Sequence, residues 1–176
     1  MQGTSSLIAY FSRRGENYVA GKIVDLPLGN TEVAATFIQE LTGGRLFRIE
    51  PVKAYPAGYD ETTEVAKQEL RQNARPPLKG EPGSLIDCEV VLLGFPNWWD
   101  TMPMAVFTFL EAHDFSGKTI LPFCTHEGSG MGRCAKDIQR LCPGATVAKG
   151  LSLRGSGVRD SKPALANWLR ESGLID

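Results

Sequence analysis

Net charge is nearly absent from this chain, and its absence removes several function classes. Nineteen Lys and Arg against twenty Asp and Glu leave a formal charge of −1 over 176 residues. So balanced a surface has no electrostatic footprint for nucleic acid or for an anionic membrane face. Long hydrophobic runs are missing as well, and no stretch approaches the roughly 20 apolar residues that span a bilayer. Met1 to Ser6 lacks a basic segment, and the apolar Leu7–Phe11 behind it is too short for a signal core, so the expected location is the cytoplasm. Cysteine is sparse: Cys88, Cys124, Cys134 and Cys142 contain no C-x-x-C pair and read as reduced, mostly buried thiols. With His126 they match no familiar zinc spacing, so no metal is expected. A nucleophilic serine is not supported either, because Glu127 occupies the first glycine position of a G-x-S-x-G centred on Ser129.

What remains is ordinary globular material, 42% hydrophobic and 22% charged, without repeats, low-complexity tracts or a linker, and residues 1–176 read as a single domain. Apolar runs alternate with helical patterns throughout, as in βα units around a parallel sheet. Leu7–Phe11 and Val90–Phe95 are continuously apolar, as central strands covered on both faces must be. Leu46–Glu50 is more polar and reads as an edge strand. Ile120–Cys124 is a fourth strand whose pairing Pro122 weakens, and Thr146–Leu153 is a weaker fifth. Helices are expected from Thr31 to Leu41, from about Glu61 to Asn73, from Pro103 through Leu110, around Ile138 and Leu141, and after Ser161, with Trp168 in the core. The architecture is a three-layer α/β sandwich with a five-stranded parallel sheet in order 2-1-3-4-5. Its topological switch lies between the first and third strands, where ligands bind beyond the strand ends.

Two loops leave from that crevice. Gly29-Asn30-Thr31 opens a helix soon after Ser12 closes the first strand. A helix start offers unpaired N–H groups to an anion, and Ser12, Asn30 and Thr31 add donors, although Asn30 or Thr31 could equally serve as a plain cap. Arg13 and Arg14 could add charge or remain solvated. The Arg13–Leu28 segment is a long excursion of uncertain role. The second loop, Gly94 to Pro103, carries adjacent Trp98 and Trp99, of which at least one should be exposed unless a ring stacks on it. A third loop, Thr125 to Gly132, offers glycine N–H groups and Glu127 to the carbonyls and N–H of a ring.

Tyr10 to Tyr18, Gly29-Asn30-Thr31, the Gly94–Pro103 loop running into Met104–Glu111, and Thr125 to Gly130 together resemble the flavodoxin-like family. They are most similar to a subgroup whose phosphate loop is interrupted by an insertion. The resemblance implies a flavodoxin fold binding one FMN. Ser12, Asn30 and Thr31, with Arg13 in addition, would hold the phosphate. Pro96, Asn97, Trp98 and Trp99 would pack along the isoalloxazine, and Thr125, Glu127, Gly128 and Ser129 would edge its pyrimidine side. Asp100 stands where relatives often have glycine, a poorer fit if the backbone needs φ > 0. The function implied is electron transfer to a redox partner protein, or reduction of small acceptors such as quinones by NAD(P)H, with no acid–base side chain of the protein's own. A hydrolase or binding domain on the same fold without flavin is the alternative.

Overall fold

A computed structural model describes residues 5–176, so Met1–Thr4 of the N-terminal expectation lie outside it. The chain runs β1 (Ser6–Tyr10), β2 (Gly15–Val19), β3 (Lys22–Leu26), α1 (Asn30–Thr42), β4 (Arg45–Arg48), α2 (Tyr59–Arg71) and β5 (Val90–Pro96). It continues through α3 (Met104–Ala112), β6 (Thr119–His126), α4 (Cys134–Leu141), β7 (Thr146–Val147), β8 (Leu151–Arg154), a 3₁₀ turn and α5 (Lys162–Glu171). The main sheet is parallel, in the order β4-β1-β5-β6, with β7 and β8 both beside β6. The two uniformly apolar strands, β1 and β5, are neighbours at its centre. The mixed Arg45–Arg48 strand sits on the edge, because only an edge tolerates alternating polar side chains.

One edge differs from the sequence expectation. The single fifth strand is two short ones: β7 pairs with Thr119 and Ile120, and β8 with Phe123 to His126. The break lies opposite Leu121 and Pro122, where proline has no N–H to give to a ladder. A second difference is the Arg13–Leu28 excursion. It is an antiparallel hairpin, β2 against β3, closed by Ala20 and Gly21 at φ 49° and 85°. Two left-handed central residues match the right-handed twist of the strands they join.

Helices cover both faces. One apolar cluster joins the sheet to α3 and α4 through Val106, Phe109, Leu110 and Ile138. The other joins it to α1 and α5 through Val33, Ile38, Leu165 and Leu169. Trp168 belongs to the second cluster, and its indole N–H donates to the Lys149 carbonyl at 3.0 Å. Ser161 stands at the N-cap of α5, as expected, but its side chain makes no capping bond; its hydroxyl donates to the Val158 carbonyl at 2.6 Å. No helix among the described residues is long and apolar enough to cross a membrane.

Candidate functional site

Register brings the loops together. Tyr10 lies opposite Gly94 and Pro96 opposite Thr125, so β1, β5 and β6 end at one sheet edge. The ladder runs one step further, Phe11 N–H to Gly94 O and Asn97 N–H to Thr125 O, each at 2.9 Å. The Ser12, Trp98 and Glu127 loops therefore leave from the same crevice, beside the topological switch.

At one end of the crevice is the start of α1. Its first N–H groups have no partner within the helix. The Glu32 N–H goes to Ser12 Oγ and the Val33 N–H to the Gly29 carbonyl, both at 3.1 Å. Those of Asn30 and Thr31 have no acceptor among the described residues. A Cβ on Gly29 would stand 2.1 Å from Ser12 Oγ and 2.7 Å from the Arg13 carbonyl oxygen, so only glycine lets strand end and helix start approach so closely. Thr31 is buried, its Oγ1 2.8 Å from Thr125 Oγ1, which fastens α1 to the third loop.

The two arginines are engaged elsewhere. Arg13 donates to the carbonyls of Pro56 at 2.9 Å, Ala57 at 2.8 Å and Gly58 at 3.4 Å, and to that of Glu16. It thus clasps the hairpin base to the entry of α2 while still lining the crevice; burial lowers its pKa. Arg14 pairs with Glu32 at 2.6 Å, and that hydrogen bond holds the Glu32 carboxyl below its ordinary range. An anion at α1 would therefore meet neutral donors and the helix dipole first, with the clasped Arg13 guanidinium in the same lobe.

At the other end Trp98 to Thr101 form a tight turn, closed by Trp98 N–H to Thr101 O at 2.8 Å. Its central residues, Trp99 and Asp100, have φ of 54° and 72°. Aspartate adopts this region readily, whereas a bulky residue there is strained by about 1–3 kcal/mol. Asn97 supports the turn from both sides, accepting the Asp100 N–H at 3.0 Å and donating to the Gly130 carbonyl at 2.8 Å. The Asp100 carbonyl accepts the Arg133 N–H at 3.0 Å, and its side chain lines no part of the crevice.

The tryptophans separate in role. Trp98 packs edge-on against Phe11 and Tyr55, ring centroids 5.1 Å away in each case. Tyr55 is held in turn by Glu69 of α2, its hydroxyl donating to Oε2 at 2.6 Å; burial raises both their pKa values. Trp99 is 46% exposed, with its indole N–H on the Thr63 carbonyl at 3.1 Å and Lys67 Nζ 5.3 Å above the ring.

The crevice itself has two adjoining lobes of about 310 and 300 Å³. The α1 lobe holds Ser12, Asn30, Thr31, Pro96, Thr125, His126, Glu127 and Ser129. The α2 lobe holds Thr62, Thr63, Ala66 and Trp99. Arg13, Asn17, Tyr59, Asn97 and Trp98 line both. Gly128 lines neither; its N–H donates to His126 Nδ1 at 2.9 Å, and burial lowers the His126 pKa. Glu127 lines the α1 lobe together with Pro96, Asn97 and Trp98. One carboxylate oxygen reaches the hairpin tip, 3.4 Å from the Ala20 N–H, and the other is buried without a hydrogen-bond partner.

Asn17, Tyr18, Tyr59, Thr62, Thr63 and His126 were not anticipated as lining residues. Asn17 and Tyr18 arrive on the hairpin, where Tyr18 stacks on Tyr59 at 6.2 Å and Glu16 Oε2 accepts the Tyr59 N–H at 2.7 Å. The Val19-Ala20-Gly21-Lys22 turn, flanked by Tyr18 and by Ile23-Val24, was the signal for that hairpin.

The flavodoxin family profile matches residues 6–172. No curated protein matches. Among solved structures, a candidate flavoprotein from Bacteroides eggerthii is 28% identical over 95% of this chain and 96% of its own, with a TM-score of 0.76. A second from Bacteroides uniformis is 29% identical, over 96% and 99%, at 0.75. A flavoprotein from Lactobacillus acidophilus, in complex with FMN, shares the fold at 16% identity over 89% and 97%, with a TM-score of 0.62. The residues present suit such a ligand. The crevice is long, with neutral donors at one end and indole surface at the other. This chain belongs to the flavodoxin family.

Proposed function

We propose that this protein is a redox enzyme that holds one FMN along the crevice and reduces small, flat acceptors such as quinones at the expense of NAD(P)H. The phosphate sits at the start of α1 among Ser12, Asn30 and Thr31, and the isoalloxazine lies beside Asn97, Trp98 and Trp99. The carrying observation is the second lobe. Past Trp98 the crevice continues between Trp99 and the Tyr59–Ala66 face of α2, and the ring lies there. Trp99 at its rim is half in solvent, which supports approach of a small molecule to the ring, as transfer to or from such a molecule requires. FMN supplies the hydride or electron chemistry when bound, while the chain's residues orient it and exclude water. No side chain in either lobe is assigned proton transfer. The near-neutral charge favours this reading over that of a carrier docking by a strongly charged face.

Anaerobic mixing of FMN-loaded protein with NADH or NADPH, followed by flavin absorbance, is the test. Rapid bleaching, reversed by a quinone, is the expected result. Loaded protein that NAD(P)H leaves yellow, yet which exchanges electrons with a partner protein, would make it a carrier. Protein that neither carries flavin nor quenches added FMN fluorescence would point to the flavin-free alternative.

A further inference from the structure

We infer that Asp137 of α4 is a positioning residue for Trp99: through Thr101 it holds the Trp98–Thr101 turn in the conformation that sets this indole at the rim of the crevice. What the rim meets rests on the FMN reading above, whereas the clamp is a property of the chain alone. Trp99 and Asp100 stand at φ 54° and 72°, and a bulky residue keeps such a conformation only where its surroundings over-determine it. The two bonds between Trp98 and Thr101 close the turn without tying it to the rest of the fold. Asn97 ties its entrance to the third loop. Its other end is gripped by α4.

The start of α4 comes very close to the turn. A Cβ on Gly132 would be 2.5 Å from Asp100 Oδ1 and 2.6 Å from the Asp100 carbonyl oxygen, so the approach requires glycine. From there the Arg133 N–H reaches the Asp100 carbonyl at 3.0 Å. One helical turn further on, Asp137 Oδ2 accepts the Thr101 hydroxyl at 2.5 Å. Thr101 is 1% exposed and the Asp137 side chain 13%, so water is poorly placed to replace a lost partner. A hydroxyl donating to a carboxylate is also charge-assisted, and stronger than a neutral pair. Arg133 and Arg140 face the same carboxylate, each at 3.4 Å. Both belong to the α4 segment and are half-exposed or more, so these ion pairs are weak and fix nothing outside it. The Thr101 bond leaves the helix and reaches the turn. Asp137 lines neither lobe, so it acts on the site through Thr101 and not by touching a ligand.

Two measurements on the same variants test this: acrylamide quenching of tryptophan fluorescence in apoprotein, and FMN affinity. Trp168 is buried and Trp99 half in solvent, so the quenching follows chiefly Trp99. Asp137→Ala and Thr101→Val should each raise it toward that of free tryptophan and weaken FMN by about 10-fold. The double variant should lose no more than either alone, since both remove one bond. Asp137→Asn, whose amide oxygen still accepts from Thr101, and Thr101→Ser, which keeps the donor, should recover most of both signals. Arg140→Ala should change neither. Wild-type quenching and affinity in Asp137→Ala would overturn the inference. So would a loss in Arg140→Ala equal to that in Asp137→Ala, or no recovery in Asp137→Asn, because the carboxylate would then act through the ion pairs of its own helix. Wild-type protein that binds no FMN would refute the FMN reading, and the quenching series would still decide the clamp.

Discussion

At the scale of single residues, the two tryptophans are chemically identical and structurally unlike. Trp98 lines both lobes and is wedged between Phe11 and Tyr55, whereas Trp99 is half in solvent and lines one. Trp98→Ala should therefore lower both stability and FMN affinity, since it removes a packed ring and a wall. Trp99→Ala should weaken FMN by about 10-fold, the worth of one aromatic contact, and move the melting temperature far less than Trp98→Ala does, because a half-exposed ring has little packing to lose. Equal effects in thermal melts and FMN titrations would contradict this division. A second residue-scale effect lies beneath Trp98. Burial raises the Glu69 carboxyl above its ordinary 4.5, and the Tyr55 hydrogen bond and Lys53 only partly counter it. A carboxyl with a raised pKa stabilises the fold fully at pH below the unfolded value, and that contribution is lost as pH rises through the folded value. Glu69→Gln removes the titration and keeps an acceptor for Tyr55. Its melting temperature should thus gain on wild type as pH is raised from about 4 toward neutrality. A difference independent of pH would show that Glu69 is not titrating in the fold.

The β2–β3 hairpin is the element that most changes the site. Two-stranded sheets are marginal alone, and this one is held by three clasps: Arg13 on the 56–58 carbonyls, Glu16 on the Tyr59 N–H, and Tyr18 on the Tyr59 ring. It lies against the mouth of both lobes through Asn17. Tyr18→Ala should release one clasp and speed FMN dissociation by about 3- to 10-fold, as read by dilution into excess apoflavodoxin; an unchanged rate would mean that the hairpin does not gate the ligand. The hairpin also marks the limit of what the sequence discloses. Leu7–Phe11 and Val90–Phe95 could be placed at the sheet centre because burial on both faces imposes uniform apolarity, and that placement located the crevice. Glu16, Asn17 and Asp25 break the hairpin's pattern with polar side chains, and the contacts that hold it lie outside it, from Glu16 to the Tyr59 N–H of α2 and from Ala20 to Glu127, so local signals ran against tertiary ones. Ser12, Thr31 and Trp98 were legible as lining residues because strand ends fix them. The aim of the Glu127 side chain was not, since it depends on Gly155 of a distant turn, where a Cβ would stand 2.8 Å from Oε1, and the engagement of Arg13 depends on carbonyls that only the folded chain brings near.

For the molecule as a whole, the crevice is a joint between three chain segments, 12–31, 96–99 and 125–129, that share no local structure in the unfolded state. A ligand spanning all three binds the native state alone and adds RT ln(1 + [L]/Kd) to its stability, about 2.7 kcal/mol at a hundredfold excess over Kd. For a chain of this size that corresponds to roughly 5–11 °C in melting temperature. FMN should produce such a shift in wild type. Gly29→Ala should abolish it, because the new Cβ would fall 2.1 Å from Ser12 Oγ and 2.7 Å from a backbone oxygen, forcing the β1 end away from the start of α1. The ring end is untouched by that substitution, so lumiflavin, which keeps the ring but has no ribityl chain, should still bind Gly29→Ala as it binds wild type, provided that the far side of the crevice stands independently. If lumiflavin binding is lost together with FMN binding, the two ends are one cooperative unit, and the variant has collapsed the crevice rather than removed its anion site.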